Sequence, residues 1–156
     1  LIIACLLFMK RMAETTDVKA ITDDEIDLNK EFDFLATNLD HYTIPKDVEV
    51  YEINGPYFFG AGNKFEEVMA AFGDRPKVRV IRMRKVPFVD STGIHNLTNL
   101  CNMSKKEGIQ VVLSGVSEKV NAQLEHARFY DLLGKENICD HISKALKRAE
   151  EITKEK

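Results

Sequence analysis

The sequence lacks the residue clusters that metal sites, disulfide frameworks and nucleotide loops require. Its three cysteines and four histidines are scattered over 156 residues, without CxxC, HxxxH or HxH spacing. Isolated cysteines are typical of proteins from a reducing compartment, and scattered histidines do not indicate zinc. The sequence also contains no GxxxxGK[ST] or GxGxxG motif. We therefore expect no metal and no cofactor.

An excess of positive charge is also missing. The net charge is -3, with 44% hydrophobic and 30% charged residues. This composition is ordinary for a soluble globular domain. It argues against a nucleic-acid partner, because nucleic-acid binders usually carry a basic surface. The length predicts one domain with a modest additional segment.

No apolar run is long enough to cross a bilayer, but one short run begins the chain. Its first nine residues, LIIACLLFM, are all apolar, and Lys10 and Arg11 follow. A bilayer needs about 20 such residues, and basic residues flank membrane helices on the cytoplasmic side. We interpret residues 1–12 as the remnant of a last transmembrane helix with its basic flank. A packed helix of a soluble protein is the alternative. Residues 13–43 are predicted to form an acidic linker with one short helix.

From residue 44 to residue 156, β-rich and helical patterns alternate. The predicted strands are 48–53, 57–59, 78–83, 111–113 and 138–139, and the first two are expected to pair as a hairpin. The predicted helices are 61–72, 94–104, 117–130 and 142–152. This alternation predicts an α/β fold with a mostly parallel sheet. Binding sites in such sheets lie beyond the carboxyl ends of the strands.

One loop at such a strand end carries residues with chemistry. Asp90, Ser91, Thr92 and Gly93 lie between the third predicted strand and the next helix. Asp90 or Ser91 can cap the helix, and a phosphate on Ser91 or Thr92 would be favoured by the helix N-terminus. The two interpretations are a capping turn and a phosphorylation switch.

A basic cluster precedes this loop. Arg82 and Arg84 share one face of the predicted strand, and Lys85 follows. They predict either a surface for an anion or an acidic partner beside the Ser91 loop, or solvated charge at the edge of the sheet.

Two longer stretches resemble a known family. VEVYEINGPYFFGAGNKFEE (48–67) and KVRVIRMRKVPFVDSTGIHNL (77–97) are similar to the STAS domain, and most closely to the C-terminal cytoplasmic STAS domain of bacterial SulP-type anion transporters. The resemblance covers about residues 44–152. It implies a mixed, mainly parallel sheet of four to five strands with helices packed mainly on one side.

The resemblance also implies a function. We expect a regulatory or protein-interaction domain of an inorganic anion transporter, on the cytoplasmic side of the inner membrane. Its expected partners are the transmembrane domain of the same transporter, a cytosolic regulatory protein and a weakly bound nucleotide, within a homodimeric full-length protein. The alternative is a free-standing phospho-switch like the anti-sigma factor antagonists, in which the serine after the loop aspartate, here Ser91, is phosphorylated. An enzyme is not expected, because Ser91 and His95 lack an orienting acid and an oxyanion site.

Overall fold

The computed structural model describes residues 1–15, 17–21, 42–54 and 75–155. Helix α1 spans Ile2–Thr15, strand β1 Asp17–Ile21, β2 Val48–Asn54 and β3 Val78–Lys85. Helix α2 (Ser91–Lys106), strand β4 (Gln110–Ser114), and helices α3 (Glu118–His126), α4 (Phe129–Leu133) and α5 (Ile142–Glu155) follow. The predicted strand 57–59 with its hairpin, the helix 61–72 and the short linker helix lie outside the described residues.

The described strands form one sheet in the order β1-β2-β3-β4. Strands β2, β3 and β4 are parallel to one another, and β1 pairs antiparallel with the outer side of β2. Later in the chain, Ile138 forms an isolated parallel bridge with Leu113 of β4. The predicted last strand is therefore a single bridge.

Alternating residues of the three parallel strands build two separate cores. Tyr51, Ile81 and Leu113 face α2, α3 and α4, with Leu97 and Leu124 packed against them. On the other face the strands present apolar residues to α5, whose inward positions recur at helical spacing: Ile142, Ala145, Leu146, Ala149 and Ile152.

The mixed α/β architecture with parallel strands is confirmed, and two details of the prediction, the number of strands and the length of one helix, need correction. Three parallel strands, not four or five, form the described sheet from residue 42 onward; β1 lies within residues 13–43, which the sequence assigns to a linker. The helices pack mainly on one face, which agrees with the prediction: α2, α3 and α4 lie there, and α5 lies on the opposite face. The predicted helix 117–130 is broken at Arg128, whose left-handed backbone (φ 56°) ends α3 and starts α4.

Helix α1 exposes its apolar residues. Five of them are more than half exposed, as is Leu1 before the helix: Ile2, Ile3, Leu6, Leu7 and Phe8. None of the helices in the described ranges is both long and apolar enough to cross a membrane. A single residue separates α1 from β1, so the apolar helix leads directly into the edge of the sheet.

Candidate functional site

The loop from Asp90 to Gly93 forms a well-capped helix start. Asp90 has extended backbone angles, and its Oδ1 accepts a hydrogen bond from the Gly93 backbone nitrogen at 2.7 Å. Ser91 is the first residue of α2 and is exposed, Thr92 is half-buried and Gly93 is buried. The geometry places the Ser91 hydroxyl where solvent can reach it, at the positive end of the helix.

His95 and the two buried cysteines are not arranged as a nucleophile with a base in the described part of the chain. His95 Nε2 lies 3.2 Å from Asn99 Nδ2, one turn further along α2. Burial raises the pKa of Cys101 to about 12, and burial is also the main reason why the pKa of Cys139 is raised. Both thiols therefore stay protonated near neutral pH, and a thiol is a poor nucleophile. Among the described residues, no group of His, Cys, Asp or Glu side chains could hold a metal ion.

A row of polar side chains crosses the sheet at the carboxyl ends of its parallel strands. Glu52 of β2 is the register partner of Arg82 in β3, and Arg82 is the partner of Ser114 in β4. All three are buried, with exposures of 0%, 5% and 0%. They continue the strand positions of Val50, Val80 and Val112, so they lie on the α5 face.

Arg84 of β3 also contacts this row, next to a shift in the register between β2 and β3. The register between β2 and β3 shifts between Glu52 and Asn54, as at a β-bulge, which re-aims nearby side chains. Arg84 Nε then donates to Glu52 Oε1 at 3.0 Å. The Arg84 side chain is 25% exposed, whereas that of Glu52 is 1% exposed. One buried carboxylate thus faces two guanidinium groups.

These arginines line a cavity of about 260 Å³, which we call the carboxyl-end pocket. Gly115, at the end of β4, forms part of its wall with a positive φ of 66°, and a Cβ there would lie 2.8 Å from Arg84 Cβ. The full lining comprises Tyr42, Arg82, Arg84, Gly115, Asp140, His141 and Ile142.

The rim of the pocket is held beside the sheet by main-chain hydrogen bonds. Cys139 N donates to Leu113 O at 2.9 Å, and Val116 N donates to Cys139 O at 3.2 Å. These bonds bring the start of α5 next to the end of β4. His141 packs edge-on against Tyr42 with ring centroids 6.1 Å apart, and Asp140 pairs with Lys144 at 2.8 Å on the surface.

The polar row is not satisfied by its own hydrogen bonds. Buried side-chain atoms without a partner in the described part of the chain include Glu52 Oε2, Arg82 Nη1, Arg84 Nη2 and Ser114 Oγ. Burial, followed by repulsion from Arg84, lowers the pKa of Arg82, although an arginine stays charged near neutral pH. An unmade buried hydrogen bond costs about 1–3 kcal/mol. Four such atoms in one row concentrate unused hydrogen-bonding capacity at this end of the sheet.

The structure separates the two predicted groups of site residues. Arg82 and Arg84 line the carboxyl-end pocket on the α5 face, Lys85 is exposed, and the pocket lining includes no residue of the Asp90–Gly93 loop. Sequence reasoning missed Glu52 and Ser114. Their signal was strand parity, because Glu52 follows Val48 and Val50 at the spacing that points side chains to one face.

Comparisons with known proteins agree on a family. A protein-family model for the STAS domain matches residues 41–145. A sulfate transporter family protein from Wolinella succinogenes is 40% identical, with a TM-score of 0.68 over 72% of this chain and 92% of that structure. The STAS domain of a SulP transporter from Vibrio cholerae is 31% identical, with a TM-score of 0.65 over 82% of this chain and all of that structure.

A longer relative shows how much of a protein this chain resembles. YvdB of Bacillus subtilis, which is named as a sulfate transporter, is 25% identical over 142 residues. The match covers 90% of this chain but only 24% of YvdB. The chain thus spans about a quarter of the length of this relative.

Proposed function

The chain belongs to the STAS domain family, and from this premise we propose that it is the cytoplasmic regulatory and protein-interaction domain of a SulP-type inorganic anion transporter. The observation that carries the proposal is the similarity to SulP STAS domains, including the V. cholerae domain that is matched along its whole length. Sulfate and bicarbonate are the classes of anion we propose for the complete protein.

The N-terminal helix supports a membrane context. Its exposed apolar residues are followed by Lys10 and Arg11, the order that places a basic flank on the cytoplasmic side. Because β1 follows α1 after one residue and pairs with β2, a displacement of α1 would be transmitted to the sheet. We propose the transmembrane domain of the same protein as the first partner. A cytosolic regulatory protein, a weakly bound nucleotide and a homodimeric full-length protein are the further parts of this proposal.

The chain acts by binding rather than by catalysis in this proposal. The Ser91 hydroxyl is exposed, but the nearest imidazole along α2, that of His95, contacts Asn99. Neither supplies the oriented base that a nucleophilic serine needs.

The test is transport by the full-length gene product. We expect the gene to encode membrane-spanning segments before residue 1, and removal of residues 42–156 to lower sulfate or bicarbonate uptake into vesicles severalfold. Uptake is normalised to the amount of protein in the membrane, and an exposed substitution, Lys105→Gln, is the control. A gene product without membrane spans, or unchanged uptake after the deletion, would contradict the proposal.

A phospho-switch is the second candidate, and the exposure of Ser91 favours it. A phosphate there would gain from the helix N-terminus without disturbing the core. Incubation with the cognate kinase and mass spectrometry should find phosphate on Ser91 and none after Ser91→Ala. An unmodified Ser91 in the presence of an active kinase would remove this candidate.

A further inference from the structure

The carboxyl-end pocket contains more positive charge than its own residues neutralise. Arg82 and Arg84 contribute two charges, the first buried and the second 25% exposed, and Glu52 is the one buried carboxylate among the described residues. Asp140 lies at the rim, but it is exposed and already paired with Lys144. A buried charge without a counter-charge is strongly unfavourable. The pocket therefore has the electrostatics of a site that is completed by an anion.

The hydrogen-bonding capacity of the two arginines leads to the same conclusion. Both line the cavity, and each retains one enclosed guanidinium nitrogen without a partner in the described part of the chain. A guanidinium group presents several N–H donors in one plane, which matches the oxygens of carboxylates, phosphates and related anions. A small rotation of either side chain toward the cavity would exchange an unmade hydrogen bond for a charge-assisted one.

The position and size of the pocket restrict the ligand. It lies at the carboxyl ends of parallel strands, where α/β proteins bind ligands, and Ile142, the first residue of α5, adds the positive end of a helix dipole. Its volume of about 260 Å³ is below that of sites for drug-sized molecules. The carboxylates of Glu52 and Asp140 would repel a polyphosphate more than a single oxyanion.

We propose that the carboxyl-end pocket is a binding site for one small oxyanion, of the sulfate, phosphate or bicarbonate class, held between Arg82 and Arg84. Binding requires only the folded chain. The use of the site to sense the cytoplasmic anion concentration rests on the proposed function. Failure of anion binding would leave the transporter assignment intact, and failure of the deletion experiment would leave the binding site intact.

The experiment is a titration of the purified full chain, in a mild detergent that covers α1, followed by amide NMR. Sodium sulfate, phosphate and bicarbonate are added in separate arms at constant ionic strength, with sodium chloride as the balancing salt. We expect saturable shifts concentrated at Gly115, His141 and Ile142 in at least one arm, and the arm with the tightest binding identifies the anion. Shifts that stay linear in all three arms, or that spread evenly over exposed basic residues, would overturn the proposal.

Two variants test whether the anion binds in the carboxyl-end pocket. Arg84→Gln should weaken binding at least tenfold, because it removes one of the two guanidinium groups. Lys105→Gln removes the same charge from the exposed end of α2 and should change the affinity less than twofold. Equal effects of the two substitutions would overturn the proposal. If Arg84→Gln does not fold, the titration of the unmodified chain decides alone.

Discussion

The two faces of the central sheet are built from the same strands, yet they carry different residues at the carboxyl ends of those strands. On the face covered by α2, α3 and α4, apolar residues continue to the strand ends, from Tyr51 and Ile53 to Ile81 and Met83. On the α5 face the apolar positions give way to Glu52, Arg82 and Ser114. Because Glu52 and Arg82 point to the same face as the apolar residues before them, their charges are buried and need partners.

Polar groups on the first face show how such a charge can be accommodated. Arg79 Nη1 donates to Ser104 Oγ at 2.8 Å, and the guanidinium lies 5.8 Å from the centre of the Tyr51 ring. Arg79 still leaves Nε without a partner, so this face is not perfectly satisfied. The carboxyl-end pocket differs because more of its buried polar atoms lack a partner, and because two of them belong to Arg82 and Arg84, which line a cavity. The first face is a structural core, and we interpret the end of the second as a site.

The largest expected effect is on the structural face. Leu97→Ala should lower the free energy of unfolding by about 3 kcal/mol, because it leaves a cavity where a fully buried side chain packs. Urea denaturation measures the loss. Met103→Ala, on the same helix but 46% exposed, is the control and should cost less than about 0.5 kcal/mol. Similar losses for both variants would contradict the assignment of this core.

Glu52→Gln should have the next largest effect. It removes the carboxylate that faces two arginines, and we expect a loss of about 2 kcal/mol, less than for a fully buried pair because Arg84 is 25% exposed. Glu150→Gln, in the exposed pair with Lys154 outside the pocket, is the control and should leave the urea midpoint unchanged. A neutral effect of Glu52→Gln would mean that the excess charge in the pocket is already compensated.

Gly115 tests the close approach of β4 to Arg84. Gly115→Ala should cost about 2 kcal/mol, because the left-handed backbone is strained by a Cβ and that Cβ would lie 2.8 Å from Arg84 Cβ. Gly108→Ala is the matched control, since Gly108 also has a positive φ (77°) but no atom within 4 Å of the added Cβ. It should cost about 1 kcal/mol. Equal losses in thermal or urea unfolding would show that the approach at Gly115 is not tight.

The smallest loss of stability is expected at the Asp90–Gly93 loop, at the start of α2. Asp90→Ala removes the bond to Gly93 N and should cost about 1 kcal/mol. Ser91→Ala, at the exposed next position, should leave the free energy of unfolding unchanged within about 0.5 kcal/mol. A larger loss at Ser91 than at Asp90 would show that the serine, and not the aspartate, caps α2.

Local patterns in the sequence predicted much of this architecture. The strands at 48–53, 78–83 and 111–113 were found from their β-branched residues, and the cap at Asp90 from its chemistry, because both are properties of neighbouring residues. The break at Arg128 was missed, since nothing in the apolar spacing marks a left-handed residue.

The carboxyl-end pocket could be predicted only in part. The shared face of Arg82 and Arg84 follows from strand parity, and the same rule applied to Glu52 would have brought the three together. The rim could not be predicted, because Tyr42 and His141 are separated by about a hundred residues and meet only through tertiary packing. The cover provided by α5 likewise depends on which face the last helix reaches.

The most direct test of the difference between the two faces is the stability gained from sulfate. An anion that binds only the folded chain raises the free energy of unfolding by about 1.4 kcal/mol at ten times its dissociation constant. Sulfate also stabilises proteins generally by exclusion from their surface, so the measured quantity is the gain of the unmodified chain minus that of Arg84→Gln, at matched ionic strength. We predict a positive difference that increases with the concentration of sulfate, or of phosphate or bicarbonate if one of these is the ligand. Equal gains for the two chains with all three anions would contradict the account.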